Sequence, residues 1–180
     1  MAEPADPVTT DPPHHPLVVV VCTGNAARSV MAAVMLQAHG VAARVVSAGT
    51  HVVENQPISI RTRQALAAVG LDPPSHRSRQ LSEDDVEVAE LVVAMAAEHV
   101  RFVRRRHPVA AGRTATMAWL AAHLSPGPDP LGERVAALGL ADVDPEVQGD
   151  VADPAGGTDE DYLRCAEQVR ALVEVLAPSL

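Results

Sequence analysis

One stretch, VVVVCTGNAARS at positions 18–29, constrains the fold of this chain more than any other. Its β-branched run predicts a buried strand at 18–21, and the glycine and asparagine that follow predict a turn into a helix beginning near Ser29. The pattern therefore places Cys22 at the carboxyl end of a strand, which is where ligands bind in open α/β sheets.

The residue types of this loop suit a tetrahedral oxyanion. Gly24 and Asn25 tolerate left-handed backbone angles, which let successive N–H groups turn inward as an anion-binding nest. Arg28 adds a planar, bidentate donor, and the positive potential favours the reactive thiolate of Cys22. A buried structural cysteine before an ordinary turn is the alternative, but the nest, arginine and serine in register favour anion binding. The predicted phosphate-binding residues are Thr23, Gly24, Asn25, Ala26, Ala27, Arg28 and Ser29.

The remaining periodicities predict an α/β fold. Strands are expected near Leu17, Ala43 and Glu90, with a fourth between Arg113 and Thr116, and helical patterns separate them. Such alternation predicts a small three-layer domain with a central four-stranded parallel sheet and helices on both faces. A length of 180 residues with 47% hydrophobic content suits one such domain. We assign it to 17–180, after a flexible tail at 1–16 that is rich in Pro, Asp and Thr.

Charge and cysteine content narrow the function classes. A net charge of −9 argues against nucleic acid or an anionic membrane as the main partner. No apolar run reaches the length of a membrane span, and no signal peptide is recognisable. The two cysteines, Cys22 and Cys165, are too few for a disulfide framework and lack metal-site spacing, so a reducing cytoplasm is expected. Cys165 belongs to an apolar stripe of the last helix, with Tyr162, Val169, Leu172 and Leu176, and is predicted to be a core residue.

The stretch CTGNAARS resembles the Cys-x5-Arg-Ser signature of the low-molecular-weight protein tyrosine phosphatases and of the arsenate reductases that share their fold. The resemblance extends from about Leu17 to Leu176. It implies a phosphomonoester hydrolase, a phosphoprotein phosphatase of the tyrosine type, that forms a cysteinyl-phosphate intermediate. The substrate would be a phosphorylated protein or a small phosphoester, and no metal or organic cofactor would be needed. Many members carry a second cysteine before the signature arginine, where this chain has Ala27.

A second motif, DVADPAGG at 150–157, resembles the Asp-Pro loop whose aspartate protonates the leaving group. Asp153 is therefore the predicted general acid, and Cys22, Arg28 and Asp153 are the predicted catalytic residues. Tyrosine-selective members often place aromatics after this aspartate and in the loop at 51–57. Here Ala155 and Gly156 follow it, and the second loop also lacks an aromatic residue. The chain therefore lacks both of the aromatic residues that the resemblance leads us to expect around a phenyl ring.

Two other functions remain open. The same loop resembles that of arsenate reductases, but a thiol relay within the chain would need further reactive cysteines, so reduction would depend on an external thiol. The other alternative is a catalytically silent phosphate-binding module. Retention of both Cys22 and Asp153 argues against such a module.

Overall fold

A four-stranded parallel sheet forms the centre of the computed structural model, which describes residues 15–72 and 75–180. The strands lie in the order β2-β1-β3-β4, and they are β1 (Leu17–Cys22), β2 (Arg44–Gly49), β3 (Leu91–Ala94) and β4 (Thr114–Thr116). All neighbouring pairs are parallel. The predicted four-stranded parallel sheet is confirmed, including its short fourth strand.

The helices follow the strands as the alternating pattern requires. They are α1 (Arg28–Ala38), α2 (Ile60–Ala68), α3 (Glu83–Val88), α4 (Ala97–Arg106), α5 (Met117–His123), α6 (Leu131–Ala136) and α7 (Asp159–Leu176). Short 3-10 helices occur at Pro108–Arg113, Leu140–Asp142, Pro145–Val147 and Ala177–Ser179. Helix α7 begins with a capping box, in which the Thr158 hydroxyl accepts from the Asp161 backbone N–H and the Asp161 side chain accepts from that of Thr158.

Alternation along β1 shows that both faces of the sheet are covered. Val18 and Val20 belong to a core with side chains from α1, α5 and α7, whereas Val19 and Val21 belong to a second core with residues from α3 and α4. All four valines are fully buried. Helices on both faces of the sheet confirm the predicted three-layer α/β arrangement.

The segment at 109–148, whose role the sequence does not indicate, completes one side of the sheet. It contributes β4, α5 and α6, and it ends at Gln148, whose side chain is buried. The Gln148 side-chain oxygen accepts from the Thr116 backbone N–H at 2.8 Å, and the Thr116 hydroxyl donates to the Gln148 carbonyl at 2.7 Å. The segment thus returns the chain to the end of β4, just ahead of the Asp-Pro motif.

Helix α7 buries most of the apolar stripe that the sequence predicts. Four of the five predicted residues are buried, namely Tyr162, Cys165, Val169 and Leu176. The fifth, Leu172, is only half-buried, and its neighbour Val173 is buried instead. The flexible tail predicted at 1–16 lies outside the described residues except for its last two positions. Within 15–72 and 75–180, no helix combines the length and apolar character of a membrane span.

Candidate active site

Cys22 is the last residue of β1 and lies at the floor of a small cleft. Its side chain is largely buried, and its Sγ lies 3.0 Å from the hydroxyl oxygen of Ser29, on the first turn of α1. Ala27, which precedes α1, provides no side-chain cap for the helix. The first amides of α1 therefore have no side-chain partner from the N-cap and remain suited to an anion.

Asn25 holds the loop in the shape that the sequence predicts. Its φ is +50°, in the left-handed region, and its side chain is fully buried. Its side-chain nitrogen donates to the hydroxyl oxygens of Ser29 at 3.1 Å and Ser47 at 2.9 Å, and its side-chain oxygen accepts from the Arg79 backbone N–H at 3.0 Å. Its carbonyl oxygen lies 2.8 Å from Nε2 of His76. The loop is thus fastened to β2 and to the 76–79 segment.

Gly49, at the end of β2, lies directly against the loop. A Cβ at this position would lie 2.5 Å from the Thr23 carbonyl oxygen and 3.0 Å from the Asn25 backbone nitrogen. The His51 backbone N–H also donates to the Thr23 carbonyl at 3.0 Å. The β2 end and the loop are therefore packed backbone against backbone, which only a glycine at position 49 permits.

Arg28 and Asp153 meet above the cysteine although 125 positions separate them in the chain. Arg28 Nη2 donates to Asp153 Oδ2 at 2.6 Å, and the guanidinium is nearly buried while the carboxylate is about half exposed. The other oxygen, Asp153 Oδ1, accepts from the Ala155 backbone N–H at 3.0 Å. Asp150, the other acid of this motif, instead accepts from the Ala97 backbone N–H at the start of α4. Asp150 anchors the loop, and Asp153 faces the cleft.

The predicted residues surround a cavity of about 290 Å³. Its lining comprises Cys22, Thr23, Gly24, Ala26, Ala27, Arg28, Ser59, Asp153, Ala155 and Tyr162. Asn25 and Ser29 are fully buried and support the loop without lining this cavity. The structure thus brings together every residue that the sequence analysis assigned to the site, with seven in the lining and two behind it.

Two lining residues, Ser59 and Tyr162, were not expected from the sequence. Ser59 caps α2, accepting from the Thr62 backbone N–H at 3.1 Å, and the Thr62 hydroxyl donates to the Ala26 carbonyl at 2.9 Å. Tyr162 is on the first turn of α7, where the apolar stripe indicated only a core position. It is the aromatic residue of the lining, whereas Val53 of the loop at 51–57 is exposed and does not line the cavity.

Thr23 connects the loop to the start of α4. Its hydroxyl oxygen lies 3.0 Å from His99 Nε2 and 3.4 Å from both Arg28 Nη2 and Glu98 Oε1. Burial, followed by the nearby charge of Arg28, lowers the pKa of His99 to about 3, so its ring is neutral near pH 7. Nothing in the sequence indicates this contact of Glu98 and His99 with Thr23.

Cys165, the second thiol, is buried in α7, and burial raises its pKa to about 12. A thiol of this kind is unreactive near neutral pH, in agreement with its assignment to the core. Among residues 15–72 and 75–180, no group of three or more His, Cys, Asp or Glu side chains is arranged to hold a metal ion.

The sequence matches a family model. The model for low molecular weight phosphotyrosine protein phosphatase matches residues 17–125. A protein-arginine-phosphatase of Geobacillus stearothermophilus is 31% identical over 166 residues, which cover 91% of this chain and 95% of that protein. The low molecular weight protein-tyrosine-phosphatase Etp of Escherichia coli K12 is 30% identical over 62% of this chain and 76% of its own length.

Solved structures agree with these relatives. The YwlE arginine phosphatase from Geobacillus stearothermophilus superposes with a TM-score of 0.73 at 28% identity, covering 89% of this chain and 90% of that one. A low molecular weight protein tyrosine phosphatase from T. tengcongensis gives 0.73 at 29% identity, covering 92% of this chain and 99% of that one. The similarity therefore includes both the matched segment and the Asp-Pro motif beyond it.

Proposed function

The chain belongs to the low molecular weight phosphotyrosine protein phosphatase family, and from that premise we propose that it hydrolyses phosphorylated protein side chains with Cys22 as nucleophile. One observation carries the assignment of roles. The Cys22 thiol, the Arg28 guanidinium and the Asp153 carboxylate border one cavity that has room for a tetrahedral phosphoryl group. Neither arsenate reduction nor a silent binding role is favoured by any comparison.

The first step transfers the phosphoryl group to sulfur. The Cys22 thiolate attacks phosphorus, an S–P bond forms, and the bond from phosphorus to the leaving atom breaks. Arg28 and the loop amides hold the phosphoryl oxygens, while the Ser29 hydroxyl, 3.0 Å from Sγ, stabilises the sulfur as an anion. Asp153 gives its proton to the leaving atom, so that atom does not depart as an anion.

The second step regenerates the thiolate. Asp153, now a carboxylate, accepts a proton from water as the water oxygen attacks phosphorus. The S–P bond breaks, and inorganic phosphate leaves. Asp153 pairs with Arg28 at 2.6 Å, so phosphoryl oxygens must replace this carboxylate on the guanidinium before Asp153 meets the leaving atom. Binding of the phosphoryl group to Arg28 therefore also releases Asp153 to approach the leaving atom.

Two phosphorylated side chains come into consideration, since the matched relatives include both a protein-arginine-phosphatase and protein-tyrosine-phosphatases. Ala155 lines the cavity where a bulky wall residue would enclose a phenyl ring, and Val53 on the neighbouring loop is exposed. The absence of an aromatic residue at these two positions favours a flexible, non-aromatic side chain over a phenyl ring. We therefore place phosphoarginine ahead of phosphotyrosine.

The test is turnover of p-nitrophenyl phosphate and of phosphorylated peptides by three variants. Cys22→Ser should abolish turnover, and Asp153→Asn should slow it by about 100-fold or more, most strongly for poor leaving groups. Cys165→Ser is the matched control, because it changes the other thiol in the same chemical way outside the cavity lining, and it should retain activity. Full turnover by Cys22→Ser would refute the assignment of the nucleophile.

The expected setting follows from the same chemistry. Both thiols are free, so we propose the reducing cytoplasm as the location and phosphorylated protein as the partner. A net charge of −9 argues against nucleic acid as a partner.

A further inference from the structure

Glu98 is a carboxylate beside the cleft that the proposed mechanism does not use. It lies on the first turn of α4, with its side chain 58% exposed. Its Oε1 is 3.4 Å from the Thr23 hydroxyl oxygen and 3.3 Å from His99 Nε2. Thr23 lines the cavity, so the carboxylate stands at the rim beside the loop that would hold the phosphoryl group.

The orientation of this carboxylate is fixed by its neighbours. His99 is neutral near pH 7, and its Nδ1 is buried without a hydrogen-bond partner, which favours the tautomer with the proton on Nε2. That proton is directed at the Thr23 hydroxyl oxygen, so the hydroxyl donates its own hydrogen to Glu98 Oε1. One carboxylate oxygen is held by the protein, and the other remains for a ligand.

Glu98 also has no fixed cation as a partner. Among the described residues, the only basic side chain within 4.0 Å of its carboxylate is the uncharged ring of His99. By contrast, Asp153, which lines the cavity, is paired with Arg28. An exposed negative charge beside a phosphate site repels a bare phosphate dianion, so it is useful only if the substrate brings a positive charge of its own.

We propose that Glu98 is a specificity-determining residue that binds the guanidinium of phosphoarginine while the phosphoryl group occupies the Cys22 loop. A guanidinium is planar and carries several N–H donors, which match a carboxylate with one oxygen unoccupied. The phosphoryl group on one nitrogen lies over Cys22, and a second nitrogen of the same group donates to Glu98. Asp153 gives its proton to the nitrogen that leaves phosphorus, and Glu98 then stabilises the full positive charge of the product.

This inference rests on the proposed function, because it assumes that the loop around Cys22 holds a phosphoryl group. The charge of Glu98 gives a reason to prefer phosphoarginine, whereas the missing aromatic residues only give a reason against phosphotyrosine. A phosphotyrosine ring offers no cation to Glu98, so the same carboxylate that attracts phosphoarginine weakens binding of the aryl phosphate. A change at this position must therefore alter the preference between the two substrates.

The experiment compares kcat/KM for a phosphoarginine peptide and a phosphotyrosine peptide of the same sequence. Glu98→Gln keeps the shape and removes the charge, and Glu133→Gln is the matched control, an exposed first-turn glutamate of α6 outside the cavity lining. We expect Glu98→Gln to lower the phosphoarginine-to-phosphotyrosine ratio about tenfold, as the loss of one charge-assisted hydrogen bond would. The loss should appear mainly as a higher KM for phosphoarginine. The ratio of Glu133→Gln should equal that of the unmodified chain.

The outcomes distinguish failure of the role of Glu98 from failure of the proposed phosphatase function. A ratio unchanged in Glu98→Gln, or an equal loss on both peptides, would overturn the role of Glu98 and leave the phosphatase assignment intact. Turnover of phosphotyrosine but not phosphoarginine by the unmodified chain would do the same. If the unmodified chain hydrolyses neither peptide nor p-nitrophenyl phosphate, the proposed function fails first.

Discussion

Replacing Asn25 by alanine tests whether the loop at 23–29, which we propose binds phosphate, is held by side-chain hydrogen bonds or by backbone shape alone. Asn25→Ala removes the donor to Ser29 and Ser47 and the acceptor for the Arg79 backbone N–H. It also leaves an alanine at a φ of +50°, a region that asparagine tolerates better than alanine. Both losses destabilise the folded chain.

The expected size follows from the contacts. Three hydrogen bonds of a fully buried side chain at about 1 kcal/mol each give about 3 kcal/mol. The left-handed backbone adds about 1 kcal/mol, so the free energy of unfolding should fall by about 4 kcal/mol, out of the ~5–15 kcal/mol typical of a domain. Asn25→Gly removes the same hydrogen bonds without the backbone term and should lose about 3 kcal/mol.

Asn55 provides a matched control. Its φ is +64°, but its side chain is exposed, and its backbone N–H donates to the Ser78 carbonyl. Asn55→Ala should therefore lose only about 1 kcal/mol. Urea titration followed by the fluorescence of Trp119, the single tryptophan, gives all three values. Equal losses for Asn25→Ala and Asn55→Ala would refute the claim that the Asn25 side chain holds the loop.

Two further predictions test the packing and the charges around the loop. Gly49→Ala would place a methyl group 2.5 Å from the Thr23 carbonyl oxygen, so kcat/KM for p-nitrophenyl phosphate should fall by about 100-fold. Gly112→Ala, where nothing lies within 4 Å of the added atom, should keep its activity, and similar effects of both changes would contradict this account. His99 has a folded pKa of about 3, below its unfolded value of about 6.5. The unfolded chain alone binds the proton between these values, so His99 should make stability fall with decreasing pH in that window, by up to about 1.4 kcal/mol per pH unit. Urea titrations at several pH values should show a shallower slope for His99→Asn, and identical slopes would refute the assignment.

The strand, loop and first helix of the site were predictable because their signals are local. The β-branched run before Cys22 indicated a strand, and the residue types at Gly24 and Asn25 indicated the left-handed turn that Asn25 adopts. The alternation of strands and helices then indicated the parallel sheet, which brings Asp153 to the edge where Cys22 ends. Asp153 itself was found only through the resemblance of its motif, since an Asp-Pro pair alone indicates a turn.

The remaining parts of the site depend on contacts between distant positions. Glu98 and His99 reach Thr23 across more than seventy residues, and no periodicity in the sequence encodes that distance. Tyr162 occupies a stripe position, and its place in the cavity lining depends on how α7 lies against the loop. The same docking explains why Val173 is buried where the spacing suggested a neighbouring leucine.

Asp153 Oδ2 contacts the Arg28 nitrogen that a phosphoryl oxygen would otherwise contact, so this carboxylate of the chain takes the place of a ligand oxygen. A small monovalent anion must displace this tethered group and gains few contacts in return. A tetrahedral dianion also engages the inward-pointing amides, and these additional contacts favour the exchange. We therefore expect small monovalent anions to bind weakly here, and a ligand that displaces Asp153 from Arg28 also releases this carboxylate for its proposed role as proton donor.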